Sequence, residues 1–166
     1  MRILRRAQLD AYCGAPATLY QRVAGVLSPV MLLVSIVIIL ILWRKLPEQI
    51  PTHYNAAGQI DGYGGRGTLL LMPVIGLAGD LLLALVSRMP QSWNTGVRVT
   101  VLNRARVYRL VRDLMADLRL AMALMFGGFG IYLSTLPEHF SGNVTGIMLI
   151  LIFVPLLRYF LRVRRA

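Results

Sequence analysis

Four stretches of this 166-residue chain are long and apolar enough to cross a bilayer, which restricts its folds more than any other feature. Residues 24–43 are free of acidic and basic side chains. Residues 68–87 are broken only by Asp80, residues 120–136 follow directly on Arg119, and residues 144–161 hold Arg158 near their end. A hydrocarbon core about 30 Å thick takes about 20 helical residues. Within it each segment has to satisfy its own backbone hydrogen bonds, which selects helix over open strand. Composition agrees: 57% of the residues are hydrophobic and 15% charged, against about a quarter charged in an average soluble domain. The expected fold class is an all-α membrane protein with four transmembrane helices, forming one domain over residues 1–166. Pro29, Pro73 and Pro155 fall within or near spans, where neighbouring helices accommodate them. The first run leads into Trp43-Arg44-Lys45-Leu46-Pro47 instead of a small-residue cleavage site, so it is expected to remain as a span and not to be a signal peptide.

Charge gives the expected orientation. Fifteen of the eighteen basic residues fall in the segment before the first span, in the connection between the second and third, and after the fourth; Arg44, Lys45 and Arg66 are the exceptions. The positive-inside rule then puts both termini in the cytoplasm and residues 44–67 outside. The net charge of +11 raises the question of nucleic acid, but the arginines are arranged as topology signals and no nucleic-acid motif accompanies them. Membrane lipids, through the anionic inner leaflet, are the expected partners of this charge. The single cysteine, Cys13, allows no internal disulfide and no cysteine metal cluster, and reads as a free thiol.

Between the second and third spans, Val107, Leu110, Val111, Leu114, Met115 and Leu118 follow the spacing of one helical face, with Arg104, Arg106, Arg109, Arg112 and Asp113 on the remainder. This pattern predicts a basic amphipathic helix at the inner membrane interface, capped by Thr100 or Asn103 and leading into the third span.

Residues 47–67 are different in kind: polar, glycine-rich and set between two spans. Pro47 and Pro51 stiffen the beginning of the loop, and Gly58 and Asp61-Gly62 supply turns. The loop is far longer than a default connector, which points to order and use. His53, Asn55 and Asp61 are expected close together. They can hold the loop's own backbone, recognise a ligand such as a peptide or lipid headgroup, or bind a metal with Glu48, Glu138 and His139; no HxxxH or HExxH spacing supports the last. Pro51, His53, Asn55, Gly58, Asp61 and Gly62 are the candidate ligand-binding residues. His53 and Asp61 are the candidate metal ligands, although no metal or other cofactor is expected.

Asp80 is the second candidate. An acid within a span is costly and usually faces a bundle interior. It suits proton coupling, ligand contact, or a structural bond to Tyr132, Ser134, Thr135 or Arg119. Gly76 and Gly79 on the same span permit a close neighbour, and Ala123, Gly127, Gly130 and Ser134 offer matching small-residue faces on the third. The chain has no GxSxG, no HExxH, no paired acidic motif and no phosphate-binding loop, and it is not expected to be an enzyme.

The run Leu46-Pro47, Ile50-Pro51-Thr52-His53-Tyr54-Asn55, Gly58 and Asp61-Gly62 resembles a bacterial membrane domain of unknown function. That domain forms the N-terminal half of the immunity protein of the sporulation-delaying (Sdp) toxin system. Pro90, Asn94, Val97, Val99, Thr100, Asn103 and Tyr108 resemble a second signature of the same family. The resemblance implies a multi-pass protein of the bacterial cytoplasmic membrane. It does not carry toxin immunity across, because the immunity protein is longer. The expected function is a binding or sensing module that recognises an extracytoplasmic ligand, peptide or protein through the 47–67 loop. The alternative is a small proton-coupled transporter or transporter subunit using Asp80. A second copy of the chain is a further candidate partner.

Overall fold

The computed structural model describes residues 16–165, so Cys13 and the arginines of residues 1–15 lie outside the described residues. Four helices are long and apolar enough to cross a membrane: α1 (Leu19–Leu42), α2 (Thr68–Val86), α3 (Arg104–Ser134) and α4 (Gly142–Val163). α1 and α4 start at side-chain caps, whereas α2 has none and keeps to the limits of its apolar run within one residue. α1 begins at Leu19 because Thr18 and Gln21 form a capping box: Thr18 Oγ1 accepts from the Gln21 N–H at 3.2 Å, and Gln21 Oε1 accepts from the Thr18 N–H at 3.3 Å. Ser141 caps α4, its Oγ accepting from the Asn143 N–H.

One feature departs from the all-α expectation. The 47–67 segment is not irregular: it forms an antiparallel hairpin of β1 (Gln49–Tyr54) and β2 (Ile60–Gly65). The amphipathic segment leads into the third span, and the two form the single 31-residue helix α3. Its apolar face meets protein: Val107, Tyr108 and Val111 are buried with Tyr159 and Val163 of α4. The expected cap is built one turn early. Thr100 Oγ1 accepts from the Asn103 N–H and Asn103 Oδ1 accepts from the Thr100 N–H, a reciprocal pair standing ahead of the helix proper.

α1 lies against α2 and α3, and α4 against α3. Small residues set the close approaches. Ala123, Gly127, Gly130 and Ser134 are all buried, as their spacing predicts. A Cβ on Gly76 would meet Leu32 at 2.6 Å and Phe126 at 2.8 Å; one on Gly127 would meet Ser35 Oγ at 3.2 Å. Along this contact, Ala123–Gly128 of α3 widens into a π-helical turn, a local irregularity that helices often carry at functional positions.

A buried cluster closes each end. At the hairpin end, Ile39 of α1, Leu46, Ile50 of β1 and Leu69 of α2 pack together. Ile50 is wholly buried and ties the hairpin to the span ends. At the opposite, arginine-rich end, the α3–α4 cluster is flanked by Trp93, Val97 and Val99.

Candidate functional site

The hairpin is built by its turn and its glycines. At the tip, the Gly58 N–H donates to Asn55 O and the Asn55 N–H donates to Gln59 O, both at 2.9 Å. Gly58 takes φ +75°, and a Cβ there would lie 2.6 Å from the Phe140 carbonyl oxygen, so only glycine fits. The Asn55 side chain completes the turn: Oδ1 accepts from the Ala57 and Gln59 N–H groups, and Nδ2 donates to Gln59 Oε1. The polar atoms of Asn55 are therefore spent on the scaffold.

The α3–α4 connection clamps this tip. The Phe140 N–H donates to Gly58 O at 2.8 Å, and Gln59 pairs with His139 in a short antiparallel bridge. Tyr54 Oη donates to the Pro137 carbonyl at 2.9 Å, and Phe140 packs on Tyr54, Phe129 and Tyr132. Burial raises the Tyr54 hydroxyl above its ordinary pKa, with Tyr132 and Tyr63 adding to the effect. At the hairpin's base, Arg66 donates to the carbonyls of Trp43 and Leu46 and lies over the Trp43 ring, 5.0 Å from its centroid.

On this frame His53 and Asp61 meet in the open. His53 Nδ1 is 2.5 Å from Asp61 Oδ1, and the two side chains are 74% and 42% exposed. Gly62, opposite His53 in the register, makes the pairing possible: a Cβ there would stand 2.9 Å from the His53 Cβ. Pro51 pairs with Tyr63 in β1, where an edge strand tolerates a missing N–H. With Nδ1 engaged by the carboxylate, Nε2 is the ring nitrogen left for another partner; it donates when the ring is charged and accepts when it is neutral. Of the six candidate residues, His53 and Asp61 thus form one polar feature, while Pro51, Asn55, Gly58 and Gly62 shape the hairpin beneath it. Among the described residues, no group of three or more His, Cys, Asp and Glu side chains could hold a metal ion.

Asp80 is fully engaged in the interior. Its carboxylate takes a two-pronged contact from Arg119, Nε to Oδ1 at 2.8 Å and Nη2 to Oδ2 at 2.9 Å, and Ser28 Oγ donates to Oδ1 at 2.6 Å. Arg119 Nη2 also donates to the Gly25 carbonyl at 3.0 Å. α1, α2 and α3 therefore meet at one ion pair. Of the four partners expected from sequence only Arg119 is used: Ser134 and Thr135 donate instead to backbone carbonyls of their own helix, and Tyr132 Oη accepts from the Ser141 N–H. Ser28 and Gly25 escape a sequence reading, since small residues are common in spans.

The family model described as "Domain of unknown function (DUF1648)" matches residues 30–77, which run from within α1 through the hairpin into α2. A protein of Archaeoglobus fulgidus, described as uncharacterized, is 30% identical over 138 residues, covering 74% of this chain and 75% of its own length. No solved structure gives a significant match.

Proposed function

The chain belongs to one family with that Archaeoglobus fulgidus protein, and from this membership and the hairpin's geometry we propose that it is a membrane-embedded binding or sensing module working through its hairpin face. One observation carries the reading. An acid–base pair stands exposed on a hairpin whose turn, glycines and clamp all serve to hold it. Exposed polar groups on a rigid frame are the ordinary form of a recognition surface, since little ordering is left to be done on binding. The ligand is taken to be extracytoplasmic, a peptide, protein or headgroup able to bond with His53 Nε2 and with the second oxygen of Asp61. The resemblance of the 46–62 run to the N-terminal half of the Sdp immunity protein supports the same choice of surface.

Function is tested by complementing a deletion strain with His53→Ala, Asp61→Asn and Gly62→Ala, each scored with its membrane abundance. All three are expected to reach the membrane at normal levels and to lose the phenotype, Gly62→Ala because its methyl displaces His53. Retained function in all three rejects the reading. Orientation is tested separately, because the proposal requires the hairpin to face outwards. In a Cys13→Ser background, Gln59→Cys is expected to react with an impermeant thiol reagent in intact cells and Asn94→Cys is not. Equal labelling rejects the orientation.

A further inference from the structure

At the arginine-rich end the start of α1, the end of α2 and the first turns of α3 enclose a cavity of about 280 Å³. Arg88, Arg109 and Arg112 line it, with Thr18, Trp93 and Tyr108. No acidic side chain is among its described lining residues. Of the nearby acids of α3, Asp113 accepts from Nε2 of Gln21, itself a lining residue, at 2.7 Å, and Asp117 is bonded by Tyr20 and Arg158. Among the described residues neither Arg88 nor Arg109 is in an ion pair. The walls are fixed, because Trp93 Nε1 donates to the Val86 carbonyl at 2.7 Å and its ring meets Tyr108 edge-on.

We propose that this cavity binds the phosphate headgroup of an anionic phospholipid. Arg88 and Arg109, two guanidiniums lining one concavity, match a phosphate oxygen cluster better than any neutral group. The volume is slightly below that of pockets for drug-sized ligands, which suits a headgroup whose acyl chains remain outside. The source of the phosphate follows from the surroundings. Leu19, Met89, Val101 and Leu102, next in sequence to the cavity or a few residues from it, are exposed apolar side chains, Leu102 at 97%. Such anchors belong in a bilayer interface, where the available phosphate is that of the lipid. The arginine side chains therefore do more than contribute a diffuse positive field: Arg88 and Arg109 line a concavity where one lipid can be selected.

The test uses the full chain purified in neutral detergent. Native mass spectrometry with equal phosphatidylglycerol and phosphatidylcholine is expected to reveal one bound phosphatidylglycerol preferred by about tenfold or more, given that each arginine near a headgroup is worth roughly fivefold. Arg88→Gln with Arg109→Gln is expected to remove the preference, whereas Arg162→Gln with Arg164→Gln, outside the cavity at the same end, is expected to keep it. Equal losses in the two pairs, or no preference in the wild type, overturn the proposal. Displacement of the lipid by millimolar inorganic phosphate also overturns it, in favour of a soluble anion. A second readout needs no variant: phosphatidylglycerol is expected to protect Arg109 from phenylglyoxal more strongly than Arg164 in the wild type, and equal protection overturns the proposal.

Discussion

The Asp80–Arg119 and His53–Asp61 pairs use the same two kinds of charge in opposite surroundings. Asp80 and Arg119 are 5% and 15% exposed and share bonds with Ser28 and the Gly25 carbonyl, so that three helices converge on them. His53 and Asp61 stand on a hairpin, 74% and 42% exposed, with hydrogen-bonding capacity to spare. Burial sets what each pair can do. A buried pair is worth its geometry: its charges have left water, and losing either partner strands the other. An exposed pair contributes about 0–1 kcal/mol to stability and keeps its free valences for something else.

The largest expected effect breaks the interior pair. Asp80→Leu or Arg119→Leu alone should destabilise the protein by about 3–5 kcal/mol, measured as detergent-resistant thermal unfolding, because one charge is left unpaired. The double variant Asp80→Leu with Arg119→Leu should recover most of that loss. A double variant as unstable as the singles would mean that the bonds to Ser28 and Gly25 carry the stability. Next in size is the frame of the exposed pair. Gly58→Ala forces a side chain into φ +75° against the Phe140 carbonyl and should cost about 1–3 kcal/mol. Limited proteolysis should then cut within residues 55–60, with the helices intact.

A smaller effect comes from the clamp. Tyr54→Phe removes one hydrogen bond to Pro137 and should cost about 1 kcal/mol. The raised pKa of Tyr54 means that the folded state favours the neutral phenol. This contribution is therefore full below the ordinary value of 10.0 and is lost as pH rises through the raised one. Hairpin proteolysis should increase above pH 10 in the wild type, and Tyr54→Phe should lack that step. The smallest stability change is that of His53→Ala, within about 1 kcal/mol.

How far the sequence revealed these regions depends on the signal each leaves. The helices were legible because an apolar run about 20 residues long has few other uses. The start of α1 was not, since a capping pair such as Thr18 and Gln21 acts through two side chains and leaves no mark on hydropathy. The hairpin was hidden by its own composition. Gly62, Gly64 and Gly65 in β2 and Pro51 in β1 lower strand propensity, yet Gly62 and Gly64 are there because His53 and Thr52 lie across them. The signal that was present is Asn55 followed by Gly58, a turn with a glycine in the left-handed region, between Ile50 and Ile60. Asp80 was conspicuous as an acid in a span, and Arg119 was legible as a partner because it bordered the third run. The packing of the amphipathic segment on α4 was not legible, because an amphipathic face packed on α4 has the same periodicity as one lying on lipid.

The contrast between the two pairs is decided most directly by complementation normalised to membrane abundance, comparing Asp80→Leu with Arg119→Leu against His53→Ala. The double interior variant is expected to retain function per molecule, and His53→Ala to reach the membrane at normal levels without function. An abundant, inactive interior variant beside a fully active His53→Ala would contradict this and move the working site to Asp80.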